Sequence, residues 1–217
     1  LNVGAWMLRI GEGTPEDLPP AERLATVAIE NPVLRRRHLF TRFALRRVLS
    51  GILGVRPAAI RISRSEFGKP FVEGADALHF SLSHSADWLA IVVGNVPVGI
   101  DVETRMPRNP LALAQRFYSH ADFRRLESLP PHEHASAFLR QWVAKEAALK
   151  AKGCGIAGAL SETECKYHDG KITEVRCRDG HFAIHEFDFA GGLPGAISSA
   201  GNHRLEIEWR DTLEAQR

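Results

Sequence analysis

The sequence contains few cysteines, and none has the spacing of a structural motif. Cys154, Cys165 and Cys177 are an odd number, and none belongs to a CxxC pair. A zinc site made of thiolates is therefore not expected. Free thiols are typical of a reducing compartment.

Long apolar runs are also absent. No stretch of about 18 apolar residues occurs, so the sequence predicts no transmembrane helix. The first ten residues, LNVGAWMLRI, have neither the basic segment nor the long apolar segment of a secretory signal. We therefore expect a cytoplasmic protein.

A strong net charge is missing too, although charge is unevenly distributed. The formal net charge is only +2, too little to indicate nucleic-acid binding by itself. Residues 35–47, however, contain six arginines and no acidic residue. Such a basic patch suits an anionic ligand. A solvated helix face is the ordinary explanation for most of these arginines.

Length and hydrophobic patterning predict an α+β fold. The 217 residues, 44% of them hydrophobic, suffice for one large or two small domains. The pattern predicts a strand, a long helix over 21–53 and three strands, then shorter helices, a helix over 132–153 and several further strands. We expect a pseudo-dimer of similar subdomains, 1–105 and 106–217, each with a long helix on an antiparallel sheet. A crevice between them would hold the active site.

The stretch GIDVE places two carboxylates at the end of an apolar strand. Because residues two apart in a strand share a face, Asp101 and Glu103 should project together while Ile100 and Val102 enter the core. A divalent ion such as Mg²⁺ would relieve the repulsion between the two acids. The ordinary alternative is a strand that ends in solvent with nearby arginines as partners.

The segment FLRQWVAKEAALKAKG adds a third carboxylate on a helix. Glu146 and Lys150 are four residues apart on one face. Such a pair is usually a surface salt bridge. Here it continues an apolar stripe through Leu139 and Val143, which favours a site at the crevice.

Three shorter motifs contribute weaker signals. Ser83 and His84 stand where a predicted strand gives way to a turn, one hairpin before GIDVE. Arg64 precedes FGKP, in which Lys69 and Pro70 form a rigid turn.

Together these motifs resemble those of the 4′-phosphopantetheinyl transferases of the surfactin-synthetase-activating type. The resemblance covers most of the chain through LRRVL, FGKP, HFSLSHS, VGIDVE and WVAKEAALKAKGCGI. Its specific part is GID, a hydrophobic residue and Glu, followed about forty residues later by W-x-x-K-E-A-x-x-K. All three acidic positions are present, whereas the arginine-rich segment matches more loosely.

The resemblance implies a metal site and a catalytic pair. Asp101, Glu103 and Glu146 would hold Mg²⁺, with Mn²⁺ as a possible substitute, against the diphosphate of coenzyme A. Lys150 would neutralise phosphate oxygens, and Glu146 is the candidate general base. Lys145, beside it, would assist.

The resemblance also implies a binding site for the nucleotide end of coenzyme A. Ser83 and His84 would contact the 3′-phosphate, together with arginines of the basic segment, of which we select Arg37 and Arg42. Arg64 and the turn containing Lys69 and Pro70 would border the adenine.

The implied reaction is transfer of the phosphopantetheine arm of coenzyme A to a serine of an acyl, peptidyl or aryl carrier protein. Adenosine 3′,5′-bisphosphate is the second product. The expected protein is a monomer with no nucleic-acid or membrane partner. Two alternatives stay open from the residues alone: a Mg²⁺-dependent phosphohydrolase or nuclease, and a non-catalytic protein whose arginine-rich helix binds nucleic acid or an acidic partner.

Overall fold

A computed structural model describes residues 2–154, 159–201, 205–211 and 213. The first half of the described chain contains β1 (Asn2–Arg9), α1 (Pro20–Val27), α2 (Pro32–Leu53), β2 (Ile62–Arg64), β3 (Pro70–Val72), β4 (His79–Ser85), β5 (Trp88–Gly94) and β6 (Val98–Val102). The second half contains α3 (Pro110–Phe117), α4 (His120–Glu127), α5 (His134–Lys152), β7 (Glu164–His168), β8 (Lys171–Cys177), β9 (Gly180–Phe189), β10 (Leu193–Ala200) and β11 (Glu206–Arg210). None of the helices described has the length and apolar character needed to cross a membrane.

The first layer is a four-stranded sheet covered by α2. Its strand order is β11-β1-β5-β4, with antiparallel pairs except for the parallel pair of β1 and β11. Phe40, Leu45 and Leu49 of α2 pack against Trp6 of β1 and Ile91 of β5. Burial of this apolar stripe is what stabilises a helix that carries so many arginines.

The second layer is an antiparallel five-stranded sheet covered by α5, with strand order β6-β10-β9-β8-β7. Alanines of α5, among them Ala144, Ala147 and Ala148, contact Val175 and Ala196 of the sheet. Gly153 ends the helix at φ +79°, as its sequence position predicts. Small side chains allow the helix to lie close to the sheet.

A third apolar cluster joins the two layers. Val3, Ala90 and Val92 of the first sheet pack with Ile100 and Ile197 of the second. The predicted fold class is confirmed: the chain is α+β, with one long helix on each of two sheets in a pseudo-dimeric arrangement.

Two strands cross the predicted division at residue 105. The strand β6 belongs to the predicted subdomain 1–105, but it pairs with β10 in the second sheet. The late strand β11 instead joins the first sheet next to β1. Strand periodicity fixes which face of a strand is buried, but it does not specify the neighbouring strand.

The predicted helix over 21–53 is two helices. The side chain of Asn31 accepts hydrogen bonds from the backbone N–H groups of Val33 and Leu34, and Pro32 is the first residue of α2. An asparagine cap followed by proline is a helix start, so the chain must leave α1 before it.

Candidate active site

A cavity of about 700 Å³ lies between α2, the β2–β3 hairpin, β4 and the end of α5. Its described lining residues include five cationic side chains and no carboxylate. The cationic residues are Arg37, Arg42, Arg64, Lys69 and Lys150. Clustered positive charge in a concave, partly apolar site favours a ligand with several negative charges.

One face of α2 supplies most of the wall. Its lining residues recur at spacings of three and four, which places them on one side of a helix. They are Leu34, Arg37, His38, Thr41, Arg42 and Leu45. Arg37 and Arg42 were predicted from the sequence, whereas His38 and Thr41 were not, although the same helical spacing could have identified them.

The other arginines of the basic segment have structural partners outside the cavity. Arg35 donates to the carbonyls of residues 29 and 30, and Arg36 pairs with Glu12. Arg46 is buried and forms a bidentate ion pair with Glu22. Arg47 pairs with an aspartate of the loop after β1. The solvated-helix explanation is therefore wrong for Arg46, whose charge is neutralised inside the protein.

Arg42 differs from these four because no hydrogen bond or ion pair is recorded for it among the described residues. Burial lowers the pKa of its guanidinium, and repulsion from Arg64 and Arg46 acts in the same direction, while Glu22 opposes it. A half-buried arginine under these conditions would be stabilised by an anion in the cavity.

His84 contributes a neutral imidazole to the same cavity. Nη2 of Arg37 lies 2.8 Å from Nδ1 of His84. Since arginine can only donate, Nδ1 accepts and the proton is on Nε2. Burial, followed by repulsion from Arg37 and Lys150, lowers the pKa of His84 to about 4. The ring therefore offers an N–H donor at neutral pH.

This protonation state predicts a pH-dependent contribution to stability. The folded pKa of about 4 lies below the ordinary value of 6.5, so the unfolded chain binds the proton first as pH falls. Between pH 6.5 and 4 the wild type should lose roughly 1–2 kcal/mol more unfolding free energy than His84→Gln. Urea denaturation across this window measures the difference. The exposed His132 gives the control, His132→Gln, which should follow the wild type. Parallel curves for His84→Gln and wild type would contradict the assignment.

Hydroxyl groups of β4 connect the two sheets. Ser83 donates from Oγ to Oδ1 of Asp101 at 2.6 Å, and Ser85 donates to Oε1 of Glu103 at 2.6 Å. On the same face of β4, Ser81 accepts from the N–H of Ile100 at 3.3 Å. Ser83 is thus placed against Asp101 and is not among the lining residues of the cavity. The role of Ser85 was missed, although strand alternation from Ser83 points to it.

Asp101 of β6 forms an ion pair with Lys150 of α5, the helix that covers the same sheet. Its Oδ1 lies 2.6 Å from Nζ of Lys150, which also donates to the carbonyl of Ile100 at 3.2 Å. Only 4% of Asp101 is exposed. Burial raises the pKa of Asp101, and repulsion from Glu103 adds to this, whereas Lys150 and Ser83 lower it. The salt-bridge alternative for Glu146 and Lys150 is therefore wrong, because the recorded partner of Lys150 is Asp101.

Glu146 is coupled electrostatically to the same acids. Burial raises its pKa to about 7, with Asp101 and Glu103 contributing repulsion, while Lys150 and a hydrogen bond from Trp142 act in the opposite direction. The three carboxylates and Lys150 thus form one cluster, and Lys150 connects it to the cavity. A carboxyl group with a pKa near 7 can accept a proton at neutral pH.

The acidic cluster has the chemistry of a divalent-cation site but not its spacing. No group of three His, Cys, Asp or Glu residues in the described parts of the chain is already arranged to hold a metal ion. Carboxylate oxygens are nevertheless the ligands that Mg²⁺ prefers, and a cation would relieve the repulsion that raises the pKa of Glu146. The residues fit the ion chemically, provided that side chains such as Lys150 shift.

Lys145 lies away from this cluster, which corrects the expectation that it assists the reaction. Its side chain is fully buried, 2.5 Å from Oδ2 of Asp122 and 2.6 Å from the carbonyl of Thr163. The sequence could not reveal this, because a lysine followed by a glutamate normally indicates an exposed helix face. The pair anchors α5 to α4 and to the segment before β7.

The hairpin that borders the cavity is held to the second layer by Lys69. Arg64 donates to the carbonyl of Gly68 at 2.8 Å and so fixes the turn, beside which Pro70 lines the cavity. Nζ of Lys69 donates to the carbonyls of Ala151 at 2.9 Å and Val98 at 3.3 Å. Burial lowers the pKa of Lys69 to about 8. The hydrogen bonds of Lys69 therefore cross the crevice to backbone carbonyls of the second layer.

A cation-lined cavity joined by one lysine to a carboxylate cluster defines a site for a reaction on an anionic, phosphate-bearing ligand. Comparison with known proteins agrees with this class. Residues 97–198 match the family model of the 4′-phosphopantetheinyl transferase superfamily. This segment begins just before β6 and ends within β10, so it includes the whole of α5 and the acidic cluster.

Curated relatives extend the match toward the N-terminus. The chain is 31% identical over 158 residues, 72% of its length and 70% of the relative's, to the 4′-phosphopantetheinyl transferase ffp of Bacillus subtilis. It is 40% identical over 139 residues (61% and 58%) to the 4′-phosphopantetheinyl transferase HetI of a Nostoc species. A further 4′-phosphopantetheinyl transferase of Bacillus subtilis is 29% identical over 145 residues (67% and 64%). The chain belongs to the 4′-phosphopantetheinyl transferase superfamily.

The matches do not span these relatives completely. The chain covers less than two thirds of the length of HetI (58%), of the Bacillus subtilis relative that is 29% identical (64%), and of the 4′-phosphopantetheinyl transferase psf-1 of Bacillus pumilus (59%).

Proposed function

We propose that this chain transfers the 4′-phosphopantetheine arm of coenzyme A to a serine hydroxyl of an apo carrier protein. Adenosine 3′,5′-bisphosphate would be the other product. The observation that carries the proposal is the cavity with five cationic and no acidic lining residues, joined through Lys150 to Asp101 of the carboxylate cluster. Family membership supports the same activity, and it gives no support to a phosphohydrolase, a nuclease or a non-catalytic binder.

In this proposal the cavity binds the nucleotide end of coenzyme A. Arg37, Arg42 and the Nε2–H group of His84 would bind the 3′-phosphate, since each can donate to its oxygens. Arg64 and Pro70 would border the adenine on the hairpin side. Ser83 is proposed to act indirectly, because its hydroxyl is committed to Asp101.

The diphosphate would lie where the cavity meets the acidic cluster. Asp101, Glu103 and Glu146 are the proposed holders of Mg²⁺ or Mn²⁺. The ion, when bound, would stabilise negative charge on the phosphate oxygens. Lys150 would donate to the same oxygens after releasing Asp101.

The chemical step needs a proton acceptor. The serine oxygen attacks the phosphorus that carries the pantetheine arm, the bond from that phosphorus to the bridging oxygen breaks, and the bisphosphate leaves. Glu146, a carboxylate of this cluster, is the proposed acceptor of the serine proton.

Product analysis tests the proposal. Coenzyme A, Mg²⁺ and a panel of apo acyl, peptidyl and aryl carriers are incubated with the protein. We expect adenosine 3′,5′-bisphosphate to form in a one-to-one ratio with modified carrier, and coenzyme A to persist when carrier is omitted. Consumption of coenzyme A without carrier would indicate a phosphohydrolase. No consumption with any carrier would reject the transferase.

The finer statements about setting and partners are proposals as well. The carrier is a protein domain whose modified serine can enter the crevice beside Lys150. A monomeric state, a cytoplasmic location and the absence of nucleic-acid partners stay predictions of the sequence.

Arg42 offers a separate test of coenzyme A binding. Its replacement by glutamine removes a cation that has no hydrogen-bond or ion-pair partner in the described part of the chain, so the fold should be retained while coenzyme A binds at least tenfold more weakly. Calorimetric titration measures the affinity. The matched control is Arg36→Gln, which removes an exposed arginine outside the cavity and should leave the affinity unchanged. Equal affinity of Arg42→Gln and wild type would contradict the proposed phosphate site.

A further inference from the structure

A second histidine lines the cavity, and its surroundings differ from those of His84. His38 lies on the cavity face of α2. Its Nδ1 is 3.0 Å from Oγ1 of Thr26, a residue of α1 that is only 4% exposed. The same hydroxyl is 2.8 Å from the carbonyl of Glu22.

These two distances define the tautomer of His38. A threonine hydroxyl has one proton, and a carbonyl can only accept it. With that proton donated to Glu22, Oγ1 of Thr26 must accept, so Nδ1 of His38 carries a proton. The opposite tautomer would leave one of these contacts without a donor, at a largely buried hydroxyl where unsatisfied polar groups are unfavourable.

The other nitrogen of His38 is therefore an acceptor. Burial and repulsion from Arg42 lower the pKa of His38, with Glu22 opposing them. The imidazole is neutral at pH 7, and its Nε2 carries a lone pair. In His84, by contrast, Nδ1 accepts from Arg37 and Nε2 carries the proton. The two histidines thus present opposite hydrogen-bonding groups to one cavity.

An acceptor is an unusual group among five cationic residues. The arginines and lysines of the cavity can only donate, and they suit phosphate oxygens. A bare imidazole nitrogen repels those oxygens and attracts an N–H group. The lining of the same cavity also includes apolar residues, among them Ile29, Leu34 and Phe67, which suit the flat face of a heterocycle.

We propose that Nε2 of His38 is a specificity-determining acceptor that selects a nucleotide ligand bearing an exocyclic amine. Under the proposed function, on which this inference rests, the amine is that of the adenine of coenzyme A. A base with a carbonyl oxygen in place of the amine would set two lone pairs against each other and be rejected. Sites built around a directed hydrogen bond discriminate strongly against analogues that cannot make it.

A two-by-two comparison tests the inference. Coenzyme A and its deaminated hypoxanthine analogue are titrated calorimetrically into wild type and His38→Ala. The wild type should bind coenzyme A at least tenfold more tightly than the analogue, and His38→Ala should bring the ratio close to one. Because the readout is a ratio of affinities, partial loss of folded protein does not affect it.

Two further variants keep the test decisive. Thr26→Val removes the acceptor that fixes the tautomer and should reduce the ratio, so it replaces His38→Ala if that variant does not fold. His84→Gln should weaken the binding of both ligands by a similar factor and so preserve the ratio of their affinities. An undiminished ratio in both His38→Ala and Thr26→Val would overturn the inference while the proposed function stands. A wild type that binds neither ligand would reject the proposed function itself, and this inference with it.

Discussion

Replacing Glu146 with glutamine is expected to remove transfer activity and leave the fold at least as stable as the wild type. Partial burial raises the pKa of Glu146 to about 7, and repulsion from Asp101 and Glu103 adds to the shift. Its charge is therefore unfavourable in the folded protein, and an amide of the same shape removes the repulsion. Loss of the proposed proton acceptor and metal ligand should lower the transfer rate at least ~100-fold.

The stability of this variant should carry a pH signature. A folded pKa above the ordinary value of 4.5 means that the folded state retains the proton longer than the unfolded state. The contribution of Glu146 to stability is present below pH 4.5 and is lost as pH rises to about 7. As pH rises through this window, the free energy of unfolding of Glu146→Gln should thus increase relative to that of the wild type, by roughly 1–3 kcal/mol. Divalent cations are removed by chelation in both samples.

Denaturant unfolding and single-turnover transfer measure the two effects on the same samples. Glu127→Gln is the control, since Glu127 forms only an exposed pair with Arg124, and it should change neither property appreciably. Transfer within twofold of wild type would refute the role of Glu146. A variant that loses activity together with stability at all pH values would show instead that Glu146 supports the fold.

The substitution Gly99→Ala is expected to destabilise the protein severely. Gly99 lies on β6 directly beneath α5, and a Cβ atom there would stand 2.0 Å from the carbonyl oxygen of Ala147 and 2.6 Å from the backbone nitrogen of Ala151. Both obstacles are backbone, so the strand and helix must separate. We expect a loss of about 3 kcal/mol or more and a melting temperature lower by on the order of 10 °C.

The same change should impair the site, because Gly99 is two residues from Asp101 and the helix carries Lys150. Gly51→Ala is the matched control: Gly51 lies within α2 with nothing within 4 Å of its virtual Cβ, and it should gain up to about 1 kcal/mol from helix propensity. Thermal unfolding measures the melting temperatures of the two variants and the wild type. A Gly99→Ala protein as stable as Gly51→Ala would mean that β6 and α5 are not in such close contact.

Local patterns in the sequence predict a large part of this architecture. The period of the apolar residues and the terminal glycine define α5, and alternation with an Asp-Gly turn defines the β7–β8 hairpin. Strand geometry correctly places Ile100 and Val102 in the core. Each of these features depends on residues close together in the chain, which is why pattern alone suffices.

Features that depend on contacts between residues far apart in the sequence could not be predicted from local pattern. Nothing near GIDVE indicates that β6 pairs with β10, or that Ser83 and Ser85 hold its two acids from another sheet. The sequence pattern predicts an exposed side chain for Lys145, because its ion-pair partner, Asp122, lies on a different helix. Local pattern also does not indicate that Asp101 is buried or that its ion-pair partner is Lys150 of α5.

The most direct test of the account is the intact mass of a carrier protein after incubation with this chain, coenzyme A and Mg²⁺. The account predicts a gain of about 340 Da, the mass of one phosphopantetheine arm, on a single serine of at least one apo carrier. The gain should disappear with Glu146→Gln and when that serine is replaced by alanine. An unchanged mass for every acyl, peptidyl and aryl carrier tested, under conditions in which coenzyme A binds, would contradict it.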